Sequence, residues 1–151
     1  MIAFLQRVSS AAVTVDHSVV GSISTGLLVF LGVEKHDSEA ELDRLLERVL
    51  GYRVFEDAAG KMNLSLLDIK GELLVVSQFT LAADTKRGSR AGFSTAAEPS
   101  VAQQLYHLFI EKAQTKVAKV ATGQFGAHMM VSLTNDGPVT FWLQVPPSST
   151  R

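Results

Sequence analysis

Two runs of consecutive apolar residues, without polar residues at alternate positions, dominate the pattern of hydrophobic and polar positions along the chain. They cover residues 26–33 and residues 73–76, the latter within a strand predicted over 72–79. An unbroken apolar run of strand length predicts a strand in the middle of a sheet, covered on both faces. Segments 2–8 and 11–23 are rich in β-forming residues interrupted by turn residues, which predicts a strand followed by a hairpin.

Two helices are predicted from apolar positions that recur at helical spacing. The first begins at Ser38, which can form a capping box with Glu41, and it ends at Gly51. Pro99 opens the second at a position where its missing N–H costs nothing. The inward stripe of this second helix is Val101, Leu105, Leu108 and Phe109. These elements predict a single α+β domain over residues 1–151, with two helices on a mostly antiparallel sheet.

The segment Asn135-Asp136-Gly137-Pro138 lies between two alternating runs, 129–133 and 139–145. Asn, Asp and Gly tolerate the positive φ of tight turns, so the pattern predicts a hairpin. Pro138 removes a backbone donor where the returning strand would begin, and an X-Pro bond in a tight turn is the usual place for a cis peptide. The tip therefore suits a rigid backbone probe pressed against a ligand or partner, although an ordinary hairpin with a proline is the simpler interpretation. Residues 146–149 have the composition of a frayed tail.

Composition narrows the class of protein only modestly. The chain has 151 residues and a net charge of −1, so any binding to nucleic acid or acidic lipid must come from a local patch. It contains no cysteine, which excludes disulfides and thiolate chemistry. No basic region precedes an apolar stretch at the N-terminus, and the strongly apolar run 27–31 is far short of a membrane span. We expect a cytoplasmic protein without a membrane segment.

Several common catalytic patterns are missing from the sequence. It contains no Gly-x-Ser-x-Gly elbow, no Walker loop and no Gly-x-Gly-x-x-Gly turn. The histidines do not pair at metal-ligand spacing, so each is expected to be a surface or packed residue rather than a ligand. They are His17, His36, His107 and His128. We expect no cofactor and no tightly bound metal.

Polar side chains follow the second apolar run directly. Ser77, Gln78, Phe79 and Thr80 stand where a buried strand ends, and a rigid sheet can present such groups to a pocket. Backbone N–H groups near Phe79 and Thr80 could form an oxyanion site. These residues could equally serve only to satisfy the backbone where the strand ends. The cations Lys86, Arg87 and Arg90 in the loop that follows could contact phosphate or could simply be solvated.

Both motifs together resemble the D-aminoacyl-tRNA deacylase family, also called D-tyrosyl-tRNA deacylases. Ser77-Gln78-Phe79-Thr80-Leu81 and Asn135-Asp136-Gly137-Pro138-Val139-Thr140 look like its two signature motifs. The likeness extends over almost the whole chain. The further matching segments are Arg7-Val8, residues 55–57, residues 60–63 and the basic loop with Arg90.

The resemblance implies a homodimer of compact, barrel-like, β-rich subunits that hydrolyses the ester between a D-amino acid and the 3′ end of tRNA. Glycine on the wrong tRNA is a further implied substrate. By likeness, the Gly137-Pro138 bond is cis and enters the partner's active site, where it holds the main-chain groups of the amino acid and excludes L-residues. Arg7 matches an arginine that holds this turn, and Phe125 and Met129 match pocket-lining positions.

The catalytic step has two interpretations at this stage. Thr80 could be a nucleophile, but no histidine or lysine adjoins it in sequence to serve as its base. Alternatively, backbone N–H groups at Phe79 and Thr80 stabilise the oxyanion while the 2′-hydroxyl of the terminal adenosine helps to activate water, and we prefer this interpretation. Two other functions stay open: a hydrolase of small esters or N-acyl D-amino acids, and a non-catalytic dimeric module that binds nucleic acid.

Overall fold

A computed structural model of the protein describes residues 1–148. Its strands are β1 (Ile2–Val15), β2 (Ser18–Ile23), β3 (Gly26–Gly32), β4 (Phe55–Glu56), β5 (Met62–Leu64), β6 (Glu72–Ser77), β7 (Val120–Thr122) and β8 (Met130–Gln144). Its helices are α1 (Glu39–Gly51), α2 (Leu66–Ile69) and α3 (Pro99–Gln114), with a 3-10 turn at Phe79–Ala82. No helix among these residues is long and apolar enough to cross a membrane.

Six of the strands form one mixed sheet. β1 pairs antiparallel with β8 along one edge, and with β3 and then β2 along the other. β3 and β6 pair in parallel, as do β6 and β7, so a crossover with a helix joins each parallel pair. The α+β class is confirmed, but the two parallel pairings were not predicted from the sequence.

The sheet curves until β2 lies beside β7. A Cβ atom on Gly21 of β2 would lie 2.3 Å from the carbonyl oxygen of Thr122 of β7, so only glycine permits this approach. The contact nearly closes the sheet into a barrel, and the expected barrel-like shape is therefore confirmed.

Both faces of the central strands are buried, as the unbroken apolar runs predicted. In β6, Leu73 and Val75 pack in a cluster that includes the inner faces of α1 and α3. The alternate residues Leu74 and Val76 face the barrel interior with Val13 and other residues of β1. The strand end after β6 is therefore held from both sides.

The helices agree with the prediction in one detail and differ from it in two. The capping box of α1 is present, because the backbone N–H and hydroxyl of Ser38 donate to the carboxylate of Glu41 at 2.8 Å and 2.6 Å. Within residues 1–148 there are three helices rather than two, since the one-turn α2 was not predicted. Val101 was expected on the inward stripe of α3 but is exposed.

The predicted hairpin around Asn135 is wrong. Residues 130–144 form one strand, β8, and both of its halves pair with β1 rather than with each other. Gln6 lies opposite Thr140 and Val8 lies opposite Asn135, so four residues of β8 face the single residue Arg7. The segment Asp136–Val139 is therefore a bulge on a continuous strand.

The frayed tail was also predicted wrongly over residues 146–148. The backbone N–H of Ser148 donates to Glu41 at 2.9 Å, and the Ser148 hydroxyl donates to the same carboxylate oxygen. This part of the tail is therefore docked on the start of α1. Ser149, which the prediction included, lies outside the described residues.

Candidate active site

The polar residues after β6 lie on a tight turn that is anchored to the neighbouring strand. The backbone N–H of Gln78 donates to the carbonyl oxygen of Leu31 at 2.8 Å, and that of Leu81 donates to Gln78 at 3.2 Å. A Cβ atom on Gly32 would lie 2.9 Å from the Cβ of Leu81, so glycine there lets the turn pack closely on β3. The sheet therefore carries these polar groups on a rigid support.

The N–H groups of Phe79 and Thr80 occupy the first positions of the 3-10 turn. Groups at the start of a helix have no acceptor within the helix, so they are available to a developing negative charge. Ser77 and Gln78 are half-buried, whereas Phe79 and Thr80 are exposed. The turn thus presents two donors at an open surface.

The hydroxyl of Thr80 accepts a hydrogen bond from the side-chain amide of Gln78. An amide N–H donor orients a hydroxyl but cannot remove its proton, so this contact does not activate Thr80 as a nucleophile. The Gln78 contact instead fixes the position of the hydroxyl.

Two cavities flank Phe79. The first, of about 440 Å³, is largely apolar and is lined by Ser77, Phe79, Phe93 and Phe125 among others. The ring centroids of Phe79 and Phe93 lie 5.3 Å apart, although these side chains are 63% and 47% exposed. Phe93 was not singled out from the sequence, because a loop aromatic carries no periodicity that would reveal its partner.

The second cavity lies on the other side of the same turn and has a volume of about 260 Å³. It is lined by Ser77, Gln78, Phe79, His128 and Met129 among others. Phe125 and Met129, both expected to line a pocket, therefore lie beside Ser77 and Phe79. His128 is exposed but adjoins this cavity, which the sequence did not indicate.

A third groove, of about 490 Å³, begins at Thr80 and runs along the end of the sheet. Its walls include Glu34, Gln144 and Trp142, and the indole is 50% exposed. The amide of Gln144 donates to Glu34 at 2.6 Å. This groove reaches Thr85, at the base of the loop that carries the three cations.

The bulge of β8 projects from the sheet. Asp136, Gly137 and Pro138 are exposed, and the Gly137-Pro138 peptide bond is cis. Gly137 has φ of +136°, and a Cβ atom on it would lie 2.7 Å from Cγ2 of Val139 and 3.1 Å from Nη2 of Arg7. Glycine is therefore required at the tip on grounds of both conformation and space.

Arg7 holds the bulge from beneath. This side chain is buried, its Nε donates to the carbonyl oxygen of Asp136 at 3.0 Å, and its Nη1 donates to that of Val54 at 2.8 Å. The carboxylate of Asp136 lies 3.8 Å from Nε. Arg7 therefore ties the bulge to the segment that follows α1.

The bulge and the polar turn lie apart on the sheet, because the turn follows the end of β6 whereas the bulge interrupts the middle of β8. Ser77 is level with Leu31, Ala3 and Leu143, whereas the bulge is level with Arg7. Four residues along the strands and three strand spacings across them separate the two features by roughly 19 Å along the curved surface of the sheet. Within one chain, therefore, the structure does not bring Gly137 and Pro138 to Thr80.

The three cations lie on an exposed loop with a defined base. Asp84 and Gly92 exchange two backbone hydrogen bonds, of 2.7 Å and 2.9 Å. Lys86, Arg87 and Arg90 project from the segment between them and are exposed. Among residues 1–148, no three His, Asp or Glu side chains are grouped so that they could hold a metal ion.

These features define a nearly closed α+β barrel with two hydrogen-bond donors at the start of a turn, beside the two cavities that Phe79 lines, an arrangement suited to acyl transfer. The chain matches the family model described as D-Tyr-tRNA(Tyr) deacylase over residues 4–144. It is 60% identical over 147 residues to the D-aminoacyl-tRNA deacylase of Thioalkalivibrio sulfidiphilus, covering 97% of this chain and 99% of that protein. The deacylase of Vibrio vulnificus strain YJ016 is 61% identical over 145 residues, with 96% and 100% covered.

Solved structures agree with this likeness. A structure described as the c-Myc DNA unwinding element binding protein has a TM-score of 0.93 and 38% identity, covering 97% of this chain and 99% of the other. A probable eukaryotic D-amino acid tRNA deacylase has a TM-score of 0.83 and covers 95% and 98%, but at 17% identity it supports the fold alone. The chain belongs to the D-Tyr-tRNA(Tyr) deacylase family, which is a family of hydrolases, and the resemblance to this family is confirmed.

Proposed function

We propose that this protein hydrolyses the ester between a D-amino acid and the 3′ end of tRNA, including glycine carried by the wrong tRNA. The observation that carries the proposal is the pair of N–H groups of Phe79 and Thr80 at the start of the 3-10 turn, beside the two cavities that Phe79 lines, in a member of this family. A substrate used in translation places the enzyme in the cytoplasm.

The proposed reaction needs no protein nucleophile. Water attacks the ester carbonyl, the N–H groups of Phe79 and Thr80 stabilise the oxyanion, and the bond from the carbonyl carbon to the ribose oxygen breaks. A proton passes to that oxygen, so the products are the free amino acid and tRNA with its hydroxyl restored. The 2′-hydroxyl of the terminal adenosine helps to activate the water. Thr80 acts by positioning, which fits its hydrogen bond from Gln78.

The active unit in this proposal is a homodimer. The exposed bulge lies roughly 19 Å along the sheet from the polar turn of its own chain, which suits insertion into a second copy. A two-fold axis between the features would bring each bulge to the other copy's turn, since a two-fold interface uses the same patch on both subunits. Trp142 and Met130 of β8 are large, exposed apolar side chains that such an interface would cover.

In this proposal, L-amino acids are rejected because they collide with the inserted backbone. Gly137 has no side chain and Pro138 has no N–H, so main-chain groups alone face the amino acid. An L-residue would direct its side chain into them, whereas a D-residue directs it away. Because the pocket does not read the side chain, many D-amino acids are accepted. Arg7 keeps the bulge in place, and Phe125 and Met129 line the pocket.

The tRNA contacts are proposed for Lys86, Arg87 and Arg90. These cations lie beyond the groove that starts at Thr80, so a strand with its 3′ end at Thr80 could reach them. Cations on a loop position nucleic acid through its phosphates rather than its bases. The 3′ end is common to all tRNAs, and such contacts do not select among them.

The deciding experiment compares D-tyrosyl-tRNA and L-tyrosyl-tRNA, each against its spontaneous hydrolysis. We expect rapid loss of the D-ester alone. Equal loss of both esters would retain a hydrolase but contradict the collision at Gly137-Pro138. Cleavage of free aminoacyl esters at a similar rate would favour a hydrolase of small esters or N-acyl compounds instead.

A second candidate is a non-catalytic dimeric module that binds nucleic acid. The likeness to the c-Myc DNA unwinding element binding protein, at 38% identity, favours this candidate. It predicts tight binding that falls with rising salt and no turnover of either ester. Loss of neither ester above the spontaneous rate, with binding through Lys86, Arg87 and Arg90, would support it.

A further inference from the structure

The neck of the bulge, where the chain leaves and rejoins β8, is closed by the side chain of Asn135. Its amide oxygen accepts a hydrogen bond from the backbone N–H of Val139 at 3.0 Å. Its amide nitrogen donates to the hydroxyl of Thr140 at 2.8 Å. The half-buried side chain of Asn135 therefore connects the two ends of the bulge.

A second strand supports this neck. The amide of Gln6 in β1 donates to the same Thr140 hydroxyl at 3.2 Å. Thr140 and Gln6 are also paired in the register of the two strands. The hydroxyl thus fixes Asn135 to the last regular pair before the bulge, and the neck cannot widen without breaking these bonds.

The contacts of Asn135 and Arg7 are divided between the two sides of the bulge. Arg7 holds the departing half through the carbonyl oxygen of Asp136. Asn135 holds the returning half through the N–H of Val139, which follows Pro138 directly. Without Asn135 this N–H would lose its acceptor, and Pro138 would be tethered from one side only.

We infer that Asn135 is a positioning residue that sets the height and direction of Gly137-Pro138 and thereby the discrimination between D- and L-esters. The inference rests on the proposed function. It assigns Asn135 no contact with substrate. A displacement of about 1 Å at a positioning group is enough to change a rate by about 100-fold, so a loosened neck should be visible in selectivity.

The test measures kcat/KM for D-tyrosyl-tRNA and L-tyrosyl-tRNA with the full-length dimer. Asn135→Ala is expected to lower the D-to-L ratio about tenfold or more. Thr140→Val, which removes the hydroxyl but keeps the shape, should lower it in the same direction by less. Thr140→Ser keeps the hydroxyl and should restore the ratio of the unmodified protein.

Asn63→Ala is the control, because Asn63 also holds a loop through its side-chain amide, which donates to Asp57 at 2.8 Å. It removes an asparagine that stabilises a loop and should leave the ratio unchanged. A ratio that stays within twofold of the unmodified protein in both Asn135→Ala and Thr140→Val would overturn the inference.

Amide hydrogen exchange at Val139 gives a readout that does not depend on activity. Faster exchange at Val139 in Asn135→Ala, with slow exchange retained in β1, is the expected result. Unmodified protein that hydrolyses neither ester would overturn the proposed function and, with it, this role of Asn135. Normal hydrolysis of the D-ester with an unchanged ratio in the variants would overturn the role of Asn135 alone.

Discussion

At the scale of single residues, the contacts of Thr80 favour the proposed role in positioning over a role as nucleophile. Its hydroxyl is held by an amide donor and has no basic partner among the contacts described. We therefore expect Thr80→Ala to lower kcat/KM for D-tyrosyl-tRNA by less than about tenfold. Single-turnover hydrolysis of the D-ester measures this change separately from product release.

Thr80→Ser is the matched variant, since it retains a hydroxyl that Gln78 can hold. It should behave like the unmodified enzyme in the same assay. A loss of about 10³-fold or more in Thr80→Ala, together with an acyl-enzyme trapped in the unmodified protein, would show that Thr80 is the nucleophile after all.

Glu41 links stability to pH. Burial raises the pKa of its carboxyl group, but hydrogen bonds from Ser148 and Ser38 outweigh burial and hold the pKa well below its ordinary value of 4.5. A carboxyl group with a depressed folded-state pKa contributes stability that is complete above the unfolded pKa and is lost as pH falls. We expect the free energy of unfolding to decrease steeply below about pH 4.5.

Glu41→Gln tests this link through urea unfolding at pH 7 and pH 3.5. At pH 7 the variant should be less stable by about 2 kcal/mol, because hydrogen bonds to a charged acceptor are replaced by neutral ones. Towards pH 3.5 the difference should shrink. A constant difference across this range would mean that the carboxyl group does not titrate with unfolding.

At the scale of secondary structure, β6 is covered on both faces, and its adjacent residues should matter equally. Leu73 faces the helices and Leu74 faces the barrel interior, and both are fully buried. We expect Leu73→Ala and Leu74→Ala each to lower the free energy of unfolding by about 2–5 kcal/mol. Denaturant unfolding monitored by circular dichroism measures both.

Val19→Ala in β2 is a suitable control because Val19 is largely exposed. It should change stability by less than about 0.5 kcal/mol. If only one of the two leucine variants proved costly, the strand would be covered on one face alone, and the barrel interior would be less well packed than it is here.

Elements that depend on neighbours in sequence could be predicted, and those that depend on distant partners could not. The capping box of Ser38 and Glu41 is local, and the buried run of β6 is visible in four consecutive residues. The bulge was mistaken for a hairpin because its pairing partner, β1, lies about 130 residues away in the chain. Turn residues indicate the local backbone conformation, but they do not indicate which strand pairs with the segment that contains them.

The residues of the candidate site also divide into those that local sequence predicts and those that only the fold brings together. The turn at Ser77 to Thr80 was found because polar residues follow a buried strand directly. Phe93 and His128 were not, since only the fold brings their loops beside Phe79. The expectation that Gly137 enters the active site of a second copy came from the resemblance to a family, not from the pattern of the residues.

At the scale of the whole molecule, the proposed dimer makes each site a joint product of two chains. Two differently damaged variants should therefore repair each other. Gly137→Ala alters the bulge, whereas Phe79→Pro removes the proposed oxyanion donor, together with the ring that lines both cavities, at a helix start where proline is tolerated. Each homodimer should lose about 100-fold or more of its activity on the D-ester.

A mixture of the two variants, unfolded together and refolded, should regain about a quarter of unmodified activity. Random assortment makes half of the dimers mixed, and each mixed dimer has one intact site of two. Refolding each variant alone is the control. Activity in the mixture no higher than in the separate variants would contradict a site shared between chains.

The size of the bulge has a consequence for how the proposed discrimination between D- and L-esters could arise or be lost. Four residues of β8 lie opposite one residue of β1, so the bulge adds three residues to this part of the ladder, whose register shifts once more between Val8 and Ser10. Removing three would give one-to-one pairing opposite Arg7 and leave the side chains of the two flanking pairs on their present faces. In the proposed function the selective element is thus an insertion into the ladder, and a short loss of chain length would separate the scaffold from its stereochemical choice.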